Sequence, residues 1–171
     1  MSGSPSPAPN PRSPASPPQR WRVRPGQPED VVGVAAAVAE LLIELGATPP
    51  PQAAMRDTAQ ALLEDPGAGA VLVAETHDEL IGVLSASWQI AMHVPGRYGL
   101  IQDLWVERSW RSRSVGAALL AALEDRAREQ GIDRVEVGLP KASFAGLAAT
   151  AEFYRANGFD PLGPRMRRLI A

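Results

Sequence analysis

Apolar and polar positions change period several times along the chain, and each change marks an element. Met1 to Arg20 has no period: Pro, Ser and Ala follow one another (SPSPAPNPRSPASPPQ), a composition that buries too little apolar surface to offset chain entropy, so a disordered tail is expected. From Trp21, WRVR alternates in strand fashion before Pro25, Gly26 and Pro28 interrupt it. Between Glu29 and Leu45, Val32, Ala36, Ala39, Leu42 and Ile43 recur at helical spacing, with acidic residues in the first turn and Gly46 just past the end. Pro49 to Pro51 separate this helix from a second, Gln52 to Leu63. Ala70 to Thr76, the turn HDEL and Ile81 to Ile90 predict a hairpin, with Gly82 at a bulge or a close approach. AMHVPG reads as a looser stretch ahead of a strand from Arg97 to Val106.

Val115 to Gln130 is a clear helix, with Leu119, Leu120, Leu123 and Ala127 on one face and Gly131 as its stop. A strand over Arg134 to Leu139, a helix over Ala145 to Asn157 stopped by Gly158, and a last strand over Arg165 to Ile170 complete the pattern. The order β α α β β β α β α β implies a mixed α+β sheet rather than a doubly wound parallel one.

Composition narrows the class. The 171 residues, 45% of them hydrophobic, suit one domain over residues 21–171 behind the tail of residues 1–20, for which a docking peptide is the functional alternative. A formal net charge of −2 argues against a nucleic-acid binder. With no cysteine there is no disulfide framework and no thiolate nucleophile, and the distant His77 and His93 suggest no metal site. No run of 18 apolar residues and no leader-like apolar stretch occurs, so a cytoplasmic protein without a membrane span is expected. Lys141 is the only lysine among 17 basic residues, a bias typical of GC-rich bacterial genomes.

The stretch Leu104 to Leu120, LWVERSWRSRSVGAALL, carries chemistry. A turn that leaves backbone N–H groups unpaired at a helix N-terminus, flanked by Arg111 and Arg113, suits a phosphate group. Arg111, Ser112, Arg113, Ser114, Val115 and Gly116 resemble the Q/R-x-x-G-x-G/A turn of the GCN5-related N-acetyltransferases, with Ser114 where that family usually has Gly. TAEFYRANGF, Thr150 to Phe159, is similar to the family's later helix, and IQDLWV, Ile101 to Val106, to the EDLxV strand of its small-amine members.

The resemblance implies the family's mostly antiparallel mixed sheet and acetyl-CoA as cofactor. It places the pyrophosphate on main-chain N–H groups from Val106 to Ala117, and the pantetheine arm along Leu104, Trp105 and Val106. A backbone N–H near Leu104 would polarise the thioester carbonyl, and Tyr154 would protonate the departing thiolate. The position of the family's catalytic Glu is Gln102, a neutral amide that takes up no proton. Asp103 alongside is expected on the opposite strand face. Three explanations stay open: a water relay to His93 or Glu136, a weakly basic acceptor, or a poor catalyst.

The acceptor pocket is implied between Leu41 to Met55 and Trp88 to Tyr98. There Trp88, His93 and Tyr98 would stack on the acceptor, and Glu40 and Glu44 would meet an ammonium. The expected function is acetyl transfer to a primary amine of a small molecule by direct attack in a ternary complex, in a possible homodimer. A protein or peptide acceptor, or a non-catalytic acyl-CoA sensor, are the alternatives.

Overall fold

Alternation along three long strands gives the sheet two apolar faces, and each face is covered by helices. The structure, a computed structural model, describes residues 20–163. The proline-rich segment and the strand expected over Arg165 to Ile170 lie outside the described residues. Along the chain run β1 (Arg22–Pro25), α1 (Val31–Glu44), α2 (Gln52–Glu64), β2 (Gly69–Glu75), β3 (Leu80–Ala91), β4 (Val94–Val106), α3 (Val115–Glu129), β5 (Val135–Val137) and α4 (Leu147–Ala156). The strands lie side by side in sequence order; all pairs are antiparallel except β4 and β5, which are parallel.

Val71, Val73, Val83 and Trp105 point to one face and meet Val34, Ala37 and Ala59 of α1 and α2. Leu72, Leu84, Ala86 and Ile101 point to the other and meet Leu119, Leu120 and Leu123 of α3 and Tyr154 of α4. Alanines on the buried side of α1 let it lie close to the sheet.

The stretch AMHVPG is not loose. β3 runs on to Ala91 and β4 begins at Val94, with Met92 and His93 at the hairpin turn. Val94 is buried and pairs with Ala91, while Pro95 and Gly96 bulge out before Arg97 pairs with Ile90, Gly96 at φ 97°. Proline is tolerated there because β5 joins β4 only at Gly99, so no ladder bond is lost on that side. Both expectations for Gly82 hold. The register skips Ile81 beside it, and a Cβ on Gly82 would come within 3.0 Å of Leu119 and 3.1 Å of Val115.

The edge strand β1 is fastened by charge. Arg24 reaches Asp30 at 2.6 Å and Glu75 at 2.7 Å, and Arg22 reaches Glu75 at 2.7 Å. Hydrogen bonds from Arg24 and then Arg22 pull the Glu75 carboxyl from its usual 4.5 down to about 2. A lowered folded pKa gives stability that is present above the unfolded value and lost as pH falls toward the folded one. Melts should therefore show Glu75→Gln below the wild type at neutral pH, with the gap closing between pH 4.5 and about 2.

Candidate active site

β4 is flanked by β5 only from Gly99 to Ile101. From Gln102 to Val106 it keeps β3 on one side and has no β5 residue on the other, so the two parallel strands part where β4 runs toward α3. The main chain of Leu104, Trp105 and Val106 forms this free edge. Their side chains belong to the core: Leu104 and Val106 pack toward α3, and Trp105 is buried against α1 and α2.

Beyond Val106 the chain makes a short 3-10 turn, Arg108–Trp110, then a four-residue turn into α3. Ser112 and Ser114 hold positive φ, 60° and 63°. Left-handed backbone costs a non-glycine residue on the order of 1 kcal/mol, and such strain persists where a site needs the geometry. The turn holds a run of main-chain donors. Among the described residues no protein acceptor meets the N–H groups from Ser112 through Ala117, and the first bond of the helix is Ala118 to Ser114 O at 3.0 Å. Six unpaired N–H groups at the positive end of a 15-residue helix are the kind of main-chain arrangement that suits an anion.

Both arginines have partners within the protein. Arg111 donates to Val106 O at 2.9 Å and forks onto Glu44 of α1 at 2.7 and 2.9 Å, so it is a strut between the end of β4 and the end of α1. Arg113 stacks over the buried Trp110 ring at 5.2 Å. At Gly116 a Cβ would meet the Phe153 ring at 3.1 Å, so α4 docks on the first turn of α3 through a glycine. The next residue, Tyr154, is buried in the α3 face of the core, edge-on to Phe153 and Phe159. Burial pushes its phenol up to about 12.

The expectation that Gln102 and Asp103 face opposite ways is wrong. Ser85 pairs with Asp103 and Ala86 with Ile101, which leaves Gln102 as the extra residue of a β-bulge. The bulge resets the alternation. Gln102 donates to Ser87 at 2.8 Å, and Ser85 donates to Asp103 at 2.6 Å. Ser85 and Ser87 alternate on β3 with Val83, so both β4 residues lie on the side of α1 and α2. Asp103 is half-buried, and its carboxyl is raised by desolvation against the opposing Ser85 bond.

Other expected positions separate. Trp88 sits in the core of the opposite face, its Nε1 donating to Pro66 O at 3.3 Å. His93 and Tyr98 lie toward the hairpin tip, rings 6.5 Å apart, and the five steps along β3 from Ala91 to Ala86 put that tip roughly 17 Å from the bulge, too far for a one-water relay from His93. Glu40 and Glu44 do share a small cavity of about 350 Å³ with Ile43, Trp105, Glu107 and Arg108. The Ser85 and Ser87 row went unread in the sequence, although SxS inside an apolar strand is a legible sign of a polar stripe.

The chain belongs to the acetyltransferase (GNAT) family, whose model matches residues 35–159. It is an acetyltransferase that draws its acetyl group from acetyl-CoA, and the unpaired N–H groups of the turn fit that cofactor's pyrophosphate. Solved structures share the fold. A GCN5-related N-acetyltransferase from Ralstonia eutropha JMP134 is 21% identical with a TM-score of 0.71, over 88% of this chain and 99% of its own. AAC(6')-Iy, in complex with the bisubstrate analogue CoA-S-monomethyl-acetylneamine, is 15% identical with a TM-score of 0.75, over 89% and 99%. Glucosamine-6-phosphate N-acetyltransferase from Arabidopsis thaliana is 15% identical with a TM-score of 0.68, over 89% and 99%. None of the curated proteins matches the chain. Among the described residues no helix is long and apolar enough to cross a membrane, and no group of His, Asp or Glu side chains forms a metal site.

Proposed function

We propose that this enzyme acetylates a primary amine of a small, cationic molecule by direct attack within a ternary complex. The observation that carries this reading is the cavity between α1 and the end of β4. Its volume of about 350 Å³ is at the lower end of small-ligand sites, and with Glu44 paired to Arg111, Glu40 and Glu107 still outnumber the single Arg108 on its rim. Such a rim draws in an ammonium group. The cavity adjoins Trp105, on the β4 edge where the thioester is expected. The named amino-sugar acceptor of the Arabidopsis enzyme and the neamine portion of the AAC(6')-Iy analogue agree with an amine acceptor.

When bound, acetyl-CoA supplies the activated acyl group. The main chain of Ser112 to Ala117 holds its pyrophosphate, the free edge of Leu104, Trp105 and Val106 takes the pantetheine arm, and an N–H of that edge faces the carbonyl oxygen. Tyr154 supplies a neutral O–H toward the sulfur. Thiol release from acetyl-CoA should appear with one or more of putrescine, glucosamine and neamine, and not with peptides carrying a free N-terminus. Release with peptides alone overturns the small-molecule reading, and cofactor binding without release to any amine overturns catalysis.

A further inference from the structure

A carboxylate on the acceptor side of the sheet has no cation. Asp103 is half-buried on the face of α1 and α2, and among the described residues no Arg, Lys or His comes within ion-pair distance of it. Its recorded partner is Ser85, itself buried, whose hydroxyl donates at 2.6 Å and fixes one carboxylate oxygen. A lone structural carboxylate in such a place is costly, because burial disfavours the charged form and a single neutral hydrogen bond compensates it only in part. Gln102, at the bulge, turns its amide to Ser87 and leaves the carboxylate as the basic group of the pair.

We propose that Asp103 takes the acceptor's proton and that Ser85 is its positioning residue. The inference rests on the amine-acetylation reading above. The attacking nitrogen forms a C–N bond to the acetyl carbon while the C–S bond breaks. An ammonium acceptor gives up two protons, one to the Asp103 carboxylate and from there to water, the other to the departing sulfur. Asp103 shares the α1 and α2 face with Trp105 two residues on, and the bulge brings Gln102, its extra residue, onto the same face. Burial raises the carboxyl above its usual range, which makes it a better base near neutral pH.

The titratable groups on the surrounding elements are Glu40 and Glu44 of α1, Arg56, Asp57 and Glu64 of α2, and Glu136 of β5; β3 has none. Glu44 is held by Arg111, and Glu136 lies 3.8 Å from Arg134. The helix sides packed on this face are apolar at Val34, Ala37 and Ala59.

The test takes full-length enzyme and whichever of putrescine, glucosamine or neamine the wild type acetylates best. Near neutral pH an alkylamine of pKa about 10 is protonated roughly a thousandfold over its free base, so Asp103→Asn should lower kcat/KM by about 10²- to 10³-fold. The deficit should shrink steadily as pH approaches that of the amine, with CoA affinity unchanged and Tm not lowered. Asp103→Glu should retain part of the activity, and Glu136→Gln should leave the pH profile as it is. Full activity of Asp103→Asn, a deficit independent of pH, or a parallel loss of CoA affinity and Tm would each refute the role of Asp103. A wild type inert toward every amine sinks the functional reading instead, which keeps the two failures apart.

Discussion

Ser112→Pro is expected to abolish measurable binding of coenzyme A while leaving the fold in place. The substitution removes one of the six unpaired N–H groups, and proline is fixed near φ −65° where Ser112 sits at 60°. The turn must therefore reopen, and the neighbouring donors lose their common aim. Hydrogen bonds to a charged acceptor are worth about 1.5–3 kcal/mol each, so losing two or three weakens binding on the order of 10³-fold or more. Little else is at stake locally. Ser112 is exposed, its N–H bonds to no protein group, and Arg111 before it is already extended at φ −65° and ψ 152°, as a residue preceding proline prefers. Ser112→Gly is the partner variant: glycine takes positive φ without penalty, so affinity should persist and Tm should hold or rise. Titration calorimetry with coenzyme A reads both, and equal affinity of the proline and glycine variants would remove the turn from cofactor binding.

Period and punctuation carried most of the fold into view because the helices end at glycines and the strands are long enough to show their alternation. Gly131 and Gly158 stop α3 and α4 at φ 68° and 85°, where only glycine is at ease. The misreading of the β3 and β4 hairpin came from Pro95 and Gly96, which signal a break in sequence but a bulge in a sheet whose third partner begins later. The run of unpaired main-chain donors before α3 was legible because its residue types matter less than its shape. Ser114 in place of glycine keeps the left-handed conformation at φ 63° at an energetic cost. The forked bond of Arg111 to Glu44, 67 residues away, was not legible, because it depends on how α1 crosses the sheet. The same holds for Asp103. Strict alternation sets it on the face opposite Gln102, and only the bulge, with Gln102 as its extra residue, brings the two onto one face, a feature of pairing between strands that one strand's sequence does not carry.

Tyr154→Phe is expected to lower kcat by about 10²-fold or more with CoA affinity within a factor of about two. The reason for a split between turnover and binding lies in what the hydroxyl does in the structure. The ring is buried among Phe153, Phe159 and the α3 leucines, contacts that phenylalanine reproduces. The hydroxyl has no protein hydrogen-bond partner among the described residues, so its removal orphans nothing and the fold should tolerate the change. Burial also decides how the phenol acts. At about 12 it is a weaker acid than a thiol of about 8.5, so outright donation to sulfur is uphill by roughly 5 kcal/mol. In the proposed mechanism the group therefore works by hydrogen-bonding charge as it grows on the sulfur, the proton crossing only as the bond to carbon is lost. Two pH signatures follow. The kcat profile of the wild type should show no loss near pH 10, where a solvated tyrosine ionises, and a limb there would mean that the ring is wet. For stability, a folded pKa raised above the unfolded 10 contributes fully below that value, and the contribution fades as pH climbs toward 12. The wild type alone should lose Tm in that interval for this reason, and identical alkaline melts and turnover in the phenylalanine variant would take Tyr154 out of the mechanism.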